Sequence, residues 1–212
     1  MTMARADGAS AGRANLSTTR TPRATHGTDS MTDTPEQTSG DESADEIVVL
    51  VGNPSPGSRT LEAAVLVATR IAALTDVADQ PAVVDLAHHK EQLLGWQSPA
   101  TESLKHQITS ARAIVVASPT YKASYTGLLK LFLDQFARDE WHGIPTIALM
   151  TGGSPAHSLA VEVHLAPVLV EIGASLPTRG LYLAGAEIDD PEPTIDAWWH
   201  NAEAPLRRAL SA

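Results

Sequence analysis

Ala117-Ser-Pro-Thr-Tyr-Lys-Ala-Ser-Tyr-Thr-Gly-Leu-Leu-Lys130 is the stretch whose reading decides the fold class. An apolar, largely β-branched run at 113–117 leads into Ser118-Pro119, a hydroxyl-rich turn follows, and a helix opens near Thr126-Gly127. A strand end, a tight turn and a helix start form a polar shelf. In open α/β sheets such shelves lie at the carboxyl ends of the strands, where ligands bind.

Working outward, the same strand–loop–helix unit recurs. Ile47-Val-Val-Leu-Val51 is apolar throughout, as a strand covered on both faces should be. A helical stripe follows, with Leu61, Val65, Ala68, Ile71 and Ala72 expected on its buried face. Strands are predicted at 82–86, 113–117, 145–150 and 180–183, with helices at 103–111, 128–136, 159–172 and 193–210. Pro167 should bend or interrupt the helix at 159–172, and Gly173 suits its C-terminal cap. Five strands alternating with helices predict an α/β fold with a doubly wound parallel sheet.

The chain has 212 residues, enough for one domain with a sizeable core. It carries no cysteine, so disulfides, thiolate chemistry and Cys-based metal sites are excluded. A net charge of -10 gives no reason to propose nucleic-acid binding. No apolar run is long enough to span a membrane, and the start of the chain lacks a secretory h-region, so the cytoplasm is the default. Residues 1–45 are rich in Ser, Thr, Gly, Asp and Arg and read as a disordered N-terminal tail, with the folded domain at 46–212. A targeting or docking tail, or an alternative start at Met31, are other readings of the same segment.

Three loops carry the chemistry. Gly52-Asn-Pro-Ser-Pro-Gly-Ser-Arg-Thr60 places Ser58, Arg59 and Thr60 at a helix N-terminus, where free N–H groups and the helix dipole favour a phosphate. Arg59 adds a charge-assisted fork. The loop has neither a Walker ending nor Gly-x-Gly-x-x-Gly, and an ordinary Ser/Thr cap is its plain alternative. In the second loop, Pro119 stiffens the turn, the backbone of Thr120, Tyr121 and Lys122 suits the edge of a planar ring, and Tyr121 or Tyr125 suits its face. Both tyrosines are also read as core or interface filling. The third loop, Thr151-Gly-Gly-Ser-Pro-Ala-His157, offers unhindered N–H groups at Gly152 and Gly153, with His157 at the start of the next helix. A nucleotide or flavin site is the leading expectation. His88 and His89 are adjacent and point apart, which argues against a metal. No Gly-x-Ser-x-Gly elbow follows a strand, and Trp198-Trp199 reads as packing or subunit contact.

Taken together, these loops resemble the NADPH-dependent FMN reductase family, closest to the FMN reductases of two-component alkanesulfonate monooxygenase systems. The likeness rests on Ser118-Pro-Thr-Tyr-Lys-Ala-Ser-Tyr-Thr-Gly-Leu-Leu-Lys-Leu-Phe-Leu-Asp134 and on Thr151-Gly-Gly-Ser-Pro-Ala-His-Ser-Leu-Ala160 with Leu165-Ala-Pro-Val-Leu169. The first loop departs from it, with Asn53 where Ser is frequent and Ser55 where Arg is common. The resemblance implies a flavodoxin-like five-stranded sheet of order 2-1-3-4-5. It implies FMN and NADPH (or NADH) as ligands, with hydride transfer to flavin N5 and no catalytic side chain. Ser58, Arg59 and Thr60 would hold the phosphate, Pro119, Thr120, Tyr121 and Lys122 would flank the ring, and Thr151, Gly152 and Gly153 would lie near its pyrimidine end. It further implies a homodimer or homotetramer formed through the helix after the second loop, near Tyr125, and a flavin-dependent monooxygenase as a partner. An FMN-bound quinone, azo or chromate reductase and a non-enzymatic flavodoxin-like electron carrier are the alternatives.

Overall fold

The computed structural model describes residues 46–75, 80–96 and 98–211, and the tail read at 1–45 lies outside them. Five strands, β1 (Ile47–Val51), β2 (Ala82–Asp85), β3 (Ala113–Pro119), β4 (Thr146–Gly152) and β5 (Leu181–Ala184), form one parallel sheet in the order 2-1-3-4-5. This is the flavodoxin-like order that the resemblance implied.

Alternation along the strands builds a core on each side of the sheet. Val48, Leu50, Ile114, Val116, Ala148 and Met150 point to one face. There they meet α2 (Lys90–Leu94), α3 (Pro99–Thr109), α4 (Gly127–Leu133) and α5 (Ala166–Glu171) through Leu93, Ile108, Leu129, Phe132 and Leu169. Ile47, Val49, Val51, Val115, Ile147 and Leu149 point to the other face, against α1 (Arg59–Ala72) and α6 (Glu192–Leu210). The helix between β1 and β2 thus lies opposite the helices that join later strands. Chain growth reverses direction at β1, and right-handed crossovers then demand the opposite face. The reversal opens a crevice between the ends of β1 and β3, the topological switch point. Phe132, fully buried, is a principal filler of the first core, and truncating it to alanine should cost ~3–5 kcal/mol.

Several local readings shift. The buried stripe of α1 is Thr60, Ala63, Ala64, Val67, Ala68, Ile71 and Ala72, while Leu61 and Val65 pack only partly against the core. Both stripes have helical spacing, and the alanine-rich one lies against the strands. α3 starts at Pro99, four residues before the expected 103, because Ser98 caps it by accepting the Thr101 N–H at 3.2 Å and Pro99 suits the first helical position. α2 was not foreseen, since a five-residue helix shows no period. β2 ends at Asp85, where the expectation ran to 86, and Leu86 opens a 3-10 turn.

α4 closes at Leu133, before the expected 136, while β5 and α6 differ from their expected ranges by one residue. The helix expected at 159–172 begins as a π-turn, Val161–Leu165, and continues as α5, with Pro167 at one of its first two positions. The Ala166 N–H reaches back to the Val161 carbonyl, and the change of register accommodates the donor that proline lacks. Gly173 follows the helix with φ 99°, in the left-handed region. His157 ends a separate 3-10 turn, Pro155–His157, instead of opening this helix.

β3 and β4 each run two residues beyond the expected 117 and 150. Ser118 pairs with Met150 and Pro119 with Thr151 in register. The residues read as loop are therefore strand ends, positioned by the sheet ladder.

Candidate functional site

A cleft of about 500 Å³ lies at the carboxyl edge of β1, β3 and β4. That volume is within the usual range for small-molecule sites. All the site residues read from the sequence except Lys122 line it: Ser58, Arg59, Thr60, Pro119, Thr120, Tyr121, Thr151, Gly152 and Gly153.

The phosphate-type end is the start of α1. Ser58 is the N-cap, and its Oγ accepts the Leu61 N–H at 3.3 Å, which leaves its own O–H to donate outward. The amides of Arg59 and Thr60 have no preceding helical turn to bond, and they sit at the positive end of a 14-residue helix. The loop before them is held from below. Asn53 is buried, accepts the Ser55 N–H at 2.9 Å, and donates to Thr60 Oγ1 at 3.4 Å. Gly57, at φ 58°, donates its N–H to the buried Asp85 carboxylate at 3.3 Å. Only glycine enters that φ region without strain, and its amide is committed to Asp85.

The floor joins the first loop to the third. Thr60 Oγ1 and Thr151 Oγ1 are 2.8 Å apart and both residues are buried, so these hydroxyls hold the loops together. The second and third loops are tied by the Thr120 N–H, which donates to the Thr151 carbonyl at 2.6 Å. Ser118 Oγ accepts the Thr126 N–H at 3.0 Å, and Thr126 Oγ1 donates to the Gly52 carbonyl, linking the second loop to the first.

Tyr121 is half exposed at the rim, while Tyr125 packs partly against the core below α4. Burial raises the Tyr125 phenol above its ordinary value of 10.0; Lys130 works against that shift and Asp134 with it. Lys122 is not among the residues that line the cleft. It and Ala123 occupy the two central positions of a tight turn at φ 53° and 66°, closed by Tyr121 N–H to Ser124 O at 2.8 Å and its reciprocal at 3.2 Å. Lys122 is thus a turn residue, placed where the chain reverses after Tyr121.

Gly152 lines the cleft and has a steric reason to be glycine as well. Its place is taken by Tyr182 of β5, whose hydroxyl crowds the position of a Cβ and donates to the Ser154 carbonyl at 3.2 Å. Gly153, by contrast, faces open space, as a backbone donor approaching a ligand requires. Asn53, Ser55, Pro56, Gly57 and Ile188 also line the cleft. The first four lie within the quoted first loop and were findable by contiguity. Ile188 and Tyr182 come from the β5 end and carry no local signal.

Chemically, the lining is one cation, several hydroxyls and backbone amides, with no carboxylate and no histidine among the described residues. Such a lining suits an anion beside a flat polar guest and holds no carboxylate–histidine pair for general acid–base work. Among the described residues no group of three or more His, Asp or Glu could hold a metal ion, and no helix is long and apolar enough to cross a membrane.

Residues 46–188 match the family model described as NADPH-dependent FMN reductase. The protein named FMN reductase (NADPH) of Escherichia coli (strain K12) is 36% identical over 95 residues, 45% of this chain and 50% of that one. The match thus spans about half the length of that relative. NADH-dependent FMN reductase SfnE of Pseudomonas putida is 28% identical over 149 residues, 68% of this chain and 79% of that one. Among solved structures, the apo form of NADH:FMN oxidoreductase (EMOB) superposes with a TM-score of 0.58 at 28% identity, covering 78% of this chain and 86% of that one. The matched residues include every residue that lines the cleft. The chain belongs to the NADPH-dependent FMN reductase family.

Proposed function

We propose that this protein is an NAD(P)H-dependent FMN reductase that takes up FMN as an exchangeable substrate and supplies it in reduced form to a flavin-dependent monooxygenase. The observation that carries the reading is the convergence of three strand-end loops on one cleft whose lining has a cation at one end and open backbone donors at the other. The residues fit the flavin: a helix N-terminus with Ser58, Arg59 and Thr60 suits a phosphate, and the open Gly153 leaves room beside a ring.

A bound flavin and nicotinamide would supply the hydride-transfer chemistry, with flavin N5 as the acceptor. The protein's part is orientation and electrostatics. Ser58, Arg59 and Thr60 hold the phosphate. Pro119, Thr120 and Tyr121 flank the ring, with Tyr121 exposed enough to swing against its face. The amides of Gly152 and Gly153, at the end of β4, meet the electron-rich pyrimidine edge. The acid-free lining supports a mechanism in which no side chain exchanges a proton with substrate. The monooxygenase partner is inferred from the likeness of the second and third loops to the sulfonate-linked reductases.

Steady-state kinetics on gel-filtered protein test the reading. NADPH or NADH oxidation should require added FMN and saturate with it. Absence of FMN-dependent oxidation with either nucleotide would overturn it.

A further inference from the structure

The cleft has a fourth wall that the three loops do not supply. The 3-10 turn Gly185–Ile188, after β5, lends Ile188 to the lining, and the next residue, Asp189, meets Arg59. Arg59 Nη1 donates to Asp189 Oδ1, a contact that joins the start of α1 to a segment 130 positions away. Arg59 is the cation of the cleft lining, so the group best suited to a phosphate already holds a carboxylate. Both side chains are well exposed, at 61% and 65%. An exposed pair of this kind is weak and screened by salt, so an incoming phosphate, with more charge and more acceptor oxygens, can take the guanidinium from it.

We propose that Asp189 competes with the phosphate of the mononucleotide for the Arg59 guanidinium, and so sets how tightly the phosphorylated flavin is held. This inference rests on the FMN reductase reading above. Asp189 is a specificity-determining residue that acts through Arg59 and does not touch the ring. Its carboxylate lowers affinity for FMN and leaves an unphosphorylated flavin unaffected, which favours FMN exchange between turnovers. On release of FMN the carboxylate returns to Arg59, so the cation is not left without a counter-charge.

The test measures binding of FMN and of riboflavin, by quenching of flavin fluorescence, to wild type, Asp189→Asn, Arg59→Ala and the double variant. Asp189→Asn should tighten FMN by about 1.4-fold to fivefold, the range an exposed ion pair spans, and leave riboflavin unchanged. In the Arg59→Ala background the same substitution should give a clearly smaller gain. FMN affinity that is unchanged or weaker in Asp189→Asn, riboflavin tightened as much as FMN, or a gain undiminished without Arg59 would each overturn the proposal. The underlying reading fails separately: a wild-type protein that binds neither flavin removes both ideas. A wild type that prefers FMN over riboflavin, with that ratio unmoved in Asp189→Asn, removes only the role of Asp189.

Discussion

The hydroxyl of Tyr182 stands where a side chain on Gly152 would begin, with its ring carbon Cζ 3.0 Å from that point. Thr120 Oγ1 lies 3.1 Å from the same point, so β5 and the second loop close together over the end of β4. Gly152→Ala must therefore push Tyr182 aside. It should destabilise the fold by ~1–3 kcal/mol, the scale of overpacking, in equilibrium urea unfolding. In a Tyr182→Leu background, which removes the obstructing phenol, the same alanine should cost measurably less. Equal costs in both backgrounds would refute the steric account.

The buried hydroxyl pair between Thr60 and Thr151 gives a second cycle. Thr151→Val leaves Thr60 Oγ1 with only the long 3.4 Å contact from Asn53, and should cost ~1–3 kcal/mol. Joint replacement of both threonines by valine should recover part of that loss, because a shape-matched apolar pair strands less hydrogen-bonding capacity. Strict additivity in urea unfolding would show that the hydroxyls do not depend on each other.

Two consecutive left-handed residues without a glycine, Lys122 and Ala123, make the turn after Tyr121 a strained one. The side chain costs ~1–2 kcal/mol per residue in that conformation, and glycine's extra unfolded-state entropy returns ~0.4–1 kcal/mol of the relief. Ala123→Gly should thus raise the thermal midpoint slightly, and Ala123→Val should lower it by more. A midpoint that falls with glycine would contradict the turn geometry.

Tyr125 supplies a pH dependence. Its phenol is raised above 10.0, with burial as the leading cause. The folded state therefore prefers the neutral form. The contribution to stability is complete below the unfolded value near 10 and is lost as pH rises through the folded value. As pH rises above the unfolded value near 10, wild type should lose stability more steeply than Tyr125→Phe. Parallel alkaline profiles for the two proteins would sink the assignment.

Strand runs such as Ile47–Val51, the caps at Ser58 and Thr126, and the loop order were legible because each is written in contiguous residues, through side-chain period and the unpaired amides of helix starts. So the α/β class and most of the cleft lining could be read from the chain alone. That Lys122 sits in a left-handed turn outside the cleft lining, that Tyr182 crowds residue 152, and that Ile188 and Asp189 approach the start of α1 were decided only by the tertiary structure. Those relationships depend on strand register and on which face each crossover takes, and they bring together residues far apart in the chain. No local propensity encodes such a meeting, because its energy exists only once the sheet has assembled.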